Sequence, residues 1–140
     1  MVRIEEPCDY GGRFWRAGCG REAVAECVYC GRPFCAAHGD RGPDYTDACH
    51  RRVCRTKLAD VAAHQDWRQR MQVANAVGLC AEDGCAERSQ HACSRCRLHF
   101  CIAHVHERTV LNRLTTPARR ELALVCAHCH ERRKLWDKHA

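Results

Sequence analysis

The hydrophobic and polar residues over 56–77 contain neither proline nor glycine among them and predict a helix of about 33 Å. Its apolar residues do not form one stripe. Leu58 and Val61 lie on one side, whereas Trp67 and Met71 lie on the opposite side. A helix on a single core keeps one apolar face. We therefore expect its first half to pack on the segment before it, and its second half on the segment after it or on a partner. The alternative is a frayed linker with scattered apolar residues.

A second helical pattern follows near the end of the chain. Proline suits the first position of a helix, so Thr116-Pro117 predicts a helix start. The apolar residues that follow at helical spacing are Ala118, Leu122, Val125 and Cys129. A basic helix is predicted over residues 127–138.

The composition shows what must hold such a chain together. It has 140 residues, of which 14 are cysteine and 10 histidine, and aromatic residues make up only 6%. A half of about seventy residues is marginal on apolar burial alone and needs disulfides or metals. The cysteines fall in C-x2-C pairs and histidines recur among them, which favours metal over disulfides. Residues 1–10 lack the apolar stretch of a signal peptide, and no run of eighteen apolar residues exists, so we expect no membrane span and a reducing, cytoplasmic setting.

The cysteines form an internal repeat with four identical gaps, C-x7-C-x2-C-x4-C-x2-H. A phenylalanine precedes the fourth cysteine in both copies, and short strands are expected around Phe34 and Phe100. The first copy consists of Cys19, Cys27, Cys30, Cys35 and His38, and the second of Cys85, Cys93, Cys96, Cys101 and His104. A pattern repeated gap for gap predicts two copies of one module.

Flanking cysteines complete each copy to eight ligands and leave no cysteine over. They are Cys8, Cys49 and Cys54 in the first copy, and Cys80, Cys126 and Cys129 in the second. Eight ligands suit two tetrahedral zinc sites, so four Zn²⁺ per chain are predicted.

Two pairings of these ligands are open. Pairs only four residues apart flank a tight hairpin, which favours a cross-brace, in which neighbouring pairs serve different ions. The predicted sites are Cys8, Cys19, Cys35 and His38; Cys27, Cys30, Cys49 and Cys54; Cys80, Cys85, Cys101 and His104; and Cys93, Cys96, Cys126 and Cys129. In the competing sequential scheme, one ion is bound by Cys27, Cys30, Cys35 and His38. His50, next to Cys49, and His106, close to His104, are alternative ligands.

Residues 27–38, C-V-Y-C-G-R-P-F-C-A-A-H, resemble the centre of an AN1-type zinc finger. They are also similar to B-box and FYVE fingers, in which C-x2-C-x4-C-x2-(C/H) recurs. The resemblance implies two zinc ions per module in a cross-brace, often on a treble-clef frame. The ends differ, because AN1 and B-box fingers typically close on histidine-rich pairs, and the FYVE phosphoinositide signature is missing. Lipid headgroup binding is therefore not supported.

RING domains share the eight-ligand plan, but neither copy has their central C-x-H-x2-C. Arg132, after the last ligand, resembles the RING linchpin position. The predicted fold is a small metal-stabilised α+β chain of two tandem cross-brace, treble-clef-like modules joined by a helix. The expected domains are a first zinc module over residues 1–55, a linker helix over 56–79, and a second zinc module with a C-terminal helix over 80–140.

The charge gives little support for a polyanion partner. The formal net charge is +6, but fourteen thiolates and four zinc ions would bring the metal-loaded chain near neutrality. With every cysteine a ligand and every site closed, we expect no enzyme, although a non-covalent RING-type ligase scaffold is an alternative. The expected function is a protein-interaction adaptor, with Trp67, Met71 and Arg132 at the partner surface and no small-molecule substrate. The resemblance to the AN1, B-box and RING families implies that it works in a ubiquitin-like pathway. The alternative is a nucleic-acid-binding zinc finger.

Overall fold

A computed structural model describes residues 5–12, 17–43 and 46–137 of the chain. It divides into two compact units, residues 1–62 and 63–140. Eight strands and two helices are described, together with one 3₁₀ turn. The strands of the first unit are β1 (Ala25–Glu26), β2 (Pro33–Phe34), β3 (Gly39–Asp40) and β4 (Ala48–Cys49), and α1 (Arg52–Ala76) follows them. The second unit contains β5 (His91–Ala92), β6 (His99–Phe100), the 3₁₀ turn (Ile102–His104), β7 (Val105–Asn112), β8 (Arg119–Cys126) and α2 (Ala127–Trp136).

Helix α1 confirms the predicted helix and begins four residues earlier, so Cys54 lies in its first turn. Leu58 packs against the core of the first unit. Trp67 and Met71 pack against the core of the second unit. The apolar residues change face along the helix because those of its first half and those of its second half pack against different cores.

The two units repeat the same order of elements. In the first, β1 pairs with β2 and β3 pairs with β4, all antiparallel. In the second, β5 pairs with β6 in the matching register, and β7 pairs with β8. A helix follows the second hairpin in each case. The main difference is the length of that hairpin, because β7 and β8 have eight residues each where β3 and β4 have two.

The helix predicted to begin at Thr116-Pro117 is wrong, because residues 119–126 form strand β8. Local apolar spacing suited a helix, but pairing with all eight residues of β7, from Val105 to Asn112, satisfies the backbone in an extended form instead. Only the last part of the stretch is helical. The predicted basic helix over 127–138 is confirmed over Ala127–Trp136, with Cys126 as its N-cap residue.

The strands expected around Phe34 and Phe100 are confirmed, and both rings are fully buried, with 0% exposure. The Phe34 ring packs on Gly39, where a Cβ atom would overlap the ring. Among the described residues, eleven of the nineteen buried hydrophobic residues are cysteines. The fold is thus a small α+β arrangement whose cores consist largely of thiols. None of the helices in the described part has the length and apolar character needed to cross a membrane.

Candidate metal centres

The sixteen predicted ligands come together in four clusters, two in each unit. In every cluster the four ligand atoms lie within 4.8 Å of one another. The clusters are Cys8, Cys19, Cys35 and His38 (site 1); Cys27, Cys30, Cys49 and Cys54 (site 2); Cys80, Cys85, Cys101 and His104 (site 3); and Cys93, Cys96, Cys126 and Cys129 (site 4). These groups follow the cross-brace and not the sequential scheme, because Cys27 and Cys30 lie with Cys49 and Cys54 and not with Cys35 and His38.

The separations between ligand atoms fit a tetrahedral zinc ion. Sulfur atoms 2.3 Å from a central ion stand about 3.8 Å apart in a tetrahedron. The Sγ–Sγ distances are 4.0 Å for Cys19–Cys35 in site 1 and 3.8 Å for Cys30–Cys49 in site 2. They are 3.9 Å both for Cys85–Cys101 in site 3 and for Cys96–Cys126 in site 4. A disulfide requires about 2.05 Å, and all fourteen cysteines are free, so the clusters are compatible with four zinc ions.

Each C-x2-C pair between the first two strands of a unit forms a tight turn that aims backbone N–H groups at sulfur. The N–H of Tyr29 points at Cys27 Sγ, and the N–H of Arg95 points at Cys93 Sγ, both at 3.4 Å. The turn then needs a residue with positive φ. Gly31 supplies it in the first unit at 72°, and Arg97 occupies the same position in the second at 66°.

These hydrogen bonds favour the thiolate form that a metal needs. Burial alone would raise the pKa of Cys27, but N–H groups of Cys49, Cys30 and Tyr29 lower it to about 7. In site 4, hydrogen bonds from the neighbouring Cys126, Cys129 and Cys96 thiols lower the pKa of Cys93. Burial raises the pKa of Cys8 and of Cys80, and a bound metal would act against this effect because it stabilises the thiolate.

The two histidine ligands face their clusters with Nδ1. His38 Nδ1 lies 3.4 Å from Cys35 Sγ, and its ring stacks on that of Tyr10 with centroids 4.3 Å apart. His104 Nδ1 lies 3.2 Å from Cys101 Sγ. Stacking on Tyr10 and the sulfur contact both orient the His38 imidazole, while the His104 imidazole has the sulfur contact.

The alternative histidine ligands lie elsewhere. His50 Nε2 is 2.9 Å from Asp40 Oδ2, while Cys49 occupies the cluster beside it. His106 is exposed on β7, and its ligand atoms belong to none of the clusters in the described residues. Neither residue replaces a cysteine or histidine of the four sites.

Arg51 links site 2 to a carboxylate, a contact that spacing alone did not indicate. Its Nη1 donates to Cys49 Sγ at 3.5 Å, and its Nη2 donates to Asp9 Oδ1 at 2.7 Å. Partial burial lowers the pKa of this guanidinium, but Asp9 and the Cys49 thiol outweigh that effect and raise it above its usual value. A cluster of four thiolates around Zn²⁺ carries a net charge of −2, which this cation offsets.

Replacing Arg51 with glutamine is expected to weaken zinc binding at site 2 about 10- to 100-fold, because it removes a cationic donor to a ligand thiolate. Competition with a chromophoric zinc chelator measures the change. The matched control is Arg52→Gln, at the exposed first residue of α1. Equal affinity for both variants would show that the Arg51 contact does not tune the metal.

In the second unit, His128 lies between the two last ligands and stacks on Trp67, with centroids 3.6 Å apart and ring planes within 10°. Its Nε2 is 3.0 Å from His64 Nδ1. This three-ring stack anchors the second half of α1 beside site 4. Trp67 and Met71 are therefore half-buried packing residues on their inward sides; their predicted partner role stays a prediction, as does that of Arg132, whose guanidinium lies 5.9 Å from the Trp136 ring centroid.

Comparisons with known proteins add no family to this description. No protein-family model matches the chain, and searches of curated proteins and of solved structures give no match. The resemblance to AN1, B-box, FYVE and RING fingers is carried by the ligand pattern alone. The geometry shows four Cys/His clusters that are compatible with zinc-binding modules.

Proposed function

We propose that the chain binds four structural zinc ions and acts as a protein-interaction adaptor in a ubiquitin-like pathway. The observation that carries the proposal is the set of four clusters, each with four protein ligands within 4.8 Å of one another. A site closed by four protein ligands leaves no position for a catalytic water, which suits a structural ion. The ions would then make two small rigid modules that display surface to a partner, without an enzymatic role of their own.

An apolar groove in the second unit is a suitable surface. It has a volume of about 330 Å³ and lies between the end of α1 and the loop over residues 81–85. On the helix side it is lined by Met71, Val73 and Val77, and the two valines are 71% and 73% exposed. Exposed valines one helical turn apart beside a groove are typical anchor positions for a protein partner.

The metal sites support this groove directly. The loop over residues 81–85 runs between Cys80 and Cys85, two ligands of site 3. Zinc at site 3 would hold that loop in place, so that one wall of the groove depends on the ion. This connection gives the zinc sites a role in partner binding besides stability.

Photo-crosslinking tests the adaptor role. Benzoylphenylalanine at position 77 is expected to give a discrete covalent adduct with one protein in cells, because the side chain there projects from the groove. The matched control is position 53, a half-exposed valine on the first turn of the same helix. Identification of the adduct by mass spectrometry as a ubiquitin-like protein, a conjugating enzyme or a ligase subunit would support the pathway. Absence of an adduct, or identical adducts at both positions, would refute the adaptor surface.

A further inference from the structure

Two basic segments that are separate in the sequence meet in the second unit. Arg120 lies near the start of β8, and Arg133 and Lys134 lie in α2. All three line one groove of about 480 Å³ between the β7–β8 hairpin and α2. The remaining lining residues are Thr109, Leu111 and Asp137.

Neither arginine side chain of this groove forms an ion pair with a carboxylate within the described part of the chain. The Arg120 side chain makes no hydrogen bond there either. Arg133 donates one N–H to the His130 carbonyl oxygen at 2.9 Å, which is a neutral partner. The one carboxylate in the groove, Asp137, is paired with Arg95 at 3.4 Å. Lys134 has an exposed pair with Glu131, and such pairs are weak in water.

Neutralisation of zinc–thiolate charge does not account for these cations. That role is visible in the first unit, where Arg51 contacts Cys49 Sγ. Neither Arg120 nor Arg133 contacts a ligand thiol, and both residues line the groove instead. The positive charge at the groove is therefore available to an anion from outside the chain.

The positive surface extends beyond the groove along the hairpin. Arg119 pairs across the strands with Asn112, one residue from Arg120, and Arg113 follows at the start of the turn. All three arginines are exposed. Arg113 donates to the Trp136 carbonyl oxygen at 2.9 Å, again a neutral partner. Arg113 and Arg119 thus add positive charge at the turn end of the hairpin, with Arg119 on the face of the ribbon opposite to Arg120 because neighbouring strand residues alternate.

A groove with two arginines and a lysine, on a β-ribbon that carries further arginines at its turn end, favours one class of ligand. Nucleic acids present regularly spaced phosphates, and arginine forks match phosphate oxygens in pairs. A two-stranded ribbon is also an element that the major groove of DNA admits. Arginine clusters also recognise acidic peptides, so polyglutamate is the competing ligand in the test below.

We propose that the groove between the β7–β8 hairpin and α2 binds the phosphate backbone of a nucleic acid, with Arg120, Arg133 and Lys134 as the phosphate ligands and Arg113 and Arg119 adding positive charge at the turn end of the hairpin. This site is distinct from the four metal clusters and from the apolar groove, so it stands or falls independently of the adaptor role.

Fluorescence anisotropy with the full, zinc-loaded chain tests the site. The probes are labelled duplex DNA, single-stranded DNA and RNA of one sequence, titrated over a salt series. Arg120→Gln/Arg133→Gln is expected to weaken binding about 100-fold at low salt, about tenfold for each lost charged contact. It should also reduce the slope of log K against log salt by about 2, because two phosphate contacts are lost. The relative affinities of the three probes identify the source of the phosphates.

The control variant is Arg55→Gln/Arg88→Gln, which removes the same charge from exposed positions outside the groove. It should bind within about twofold of the unmodified chain at physiological salt, because neither side chain lines the groove. Zinc content and circular dichroism of both variants establish that they are folded. The proposal is overturned if no nucleic acid binds at low salt, if the control weakens binding as much as the groove variant, or if polyglutamate binds as tightly through Arg120 and Arg133.

Discussion

Exhaustive chelation of the zinc-loaded chain is expected to unfold both units. The reason lies in the composition of their cores. Among the described residues of the first unit, the buried hydrophobic residues other than cysteine are only Ala25, Phe34 and Ala48. Three such residues cannot offset the chain entropy of a unit of this size, which is about 1–2 kcal/mol per ordered residue for the backbone alone.

The expected effect is large because metal binding and folding are the same event in such modules. A structural zinc ion contributes about 10–16 kcal/mol in small zinc fingers at neutral pH, whereas the whole stability of a folded domain is about 5–15 kcal/mol. Loss of two ions from a unit therefore exceeds any stability it has. Without metal, the cysteine thiols of a cluster would also repel one another as they ionise, since their sulfur atoms stand about 3.8–4.0 Å apart.

Native mass spectrometry should find four zinc ions per chain before chelation and none afterwards. Circular dichroism and the dispersion of amide resonances should then report loss of structure, and both should return when zinc is added under reducing conditions. Chelator saturated with zinc beforehand is the control for direct effects of the chelator. A metal-free chain that keeps its dispersed spectrum would contradict the prediction.

Replacing Phe100 with alanine is expected to lower the free energy of unfolding of the zinc-loaded chain by about 3–5 kcal/mol, because it leaves a cavity within a small core. Its ring is 0% exposed and lies in the buried cluster that contains the site 4 thiols. Few neighbours can collapse into the space, since most of them are cysteines whose positions the metal sets. Phe34 has the same burial in the first unit, and Phe34→Ala should have an effect of similar size.

Thermal denaturation of the zinc-loaded variants, with zinc content measured in parallel, gives the comparison. Leu122→Ala is a suitable control, because Leu122 lies on β8 in the same unit but is 69% exposed. Its substitution should change the stability by no more than about 0.5 kcal/mol. Equal melting of the Phe100 and Leu122 variants would show that the metal sites alone determine the stability of the unit.

Much of each metal centre could be predicted from the sequence because ligand spacing is a local property. A C-x2-C pair with N–H groups aimed at sulfur needs only a few residues, and Gly31 marks such a turn by its freedom at positive φ. Arg97, at the same position of the second unit, gives no such signal. The repeat of four identical gaps then indicated that the second half of the chain forms the same kind of metal-binding module as the first half.

The β7–β8 hairpin could not be predicted in the same way. Residues 118–129 carry apolar residues at helical spacing. Strand β8 begins with exposed arginines and is buried only towards its end, so its sequence lacks the alternation of apolar and polar residues that is typical of a strand. The strand exists because β7 lies beside it and satisfies its backbone, which is a contact between residues up to 21 positions apart. Pattern within the segment does not contain that information.

The amino-acid sequence by itself determined which sixteen residues can hold metal, where the long helix lies, and that the chain carries two related modules, because these depend on local spacing and repetition. Tertiary structure alone decided which ligands share a cluster, that Arg51 bonds to a ligand thiol, and that Arg120 meets Arg133 in one groove. These depend on strand pairing and chain reversal, which bring distant residues together, and no single segment specifies its partner.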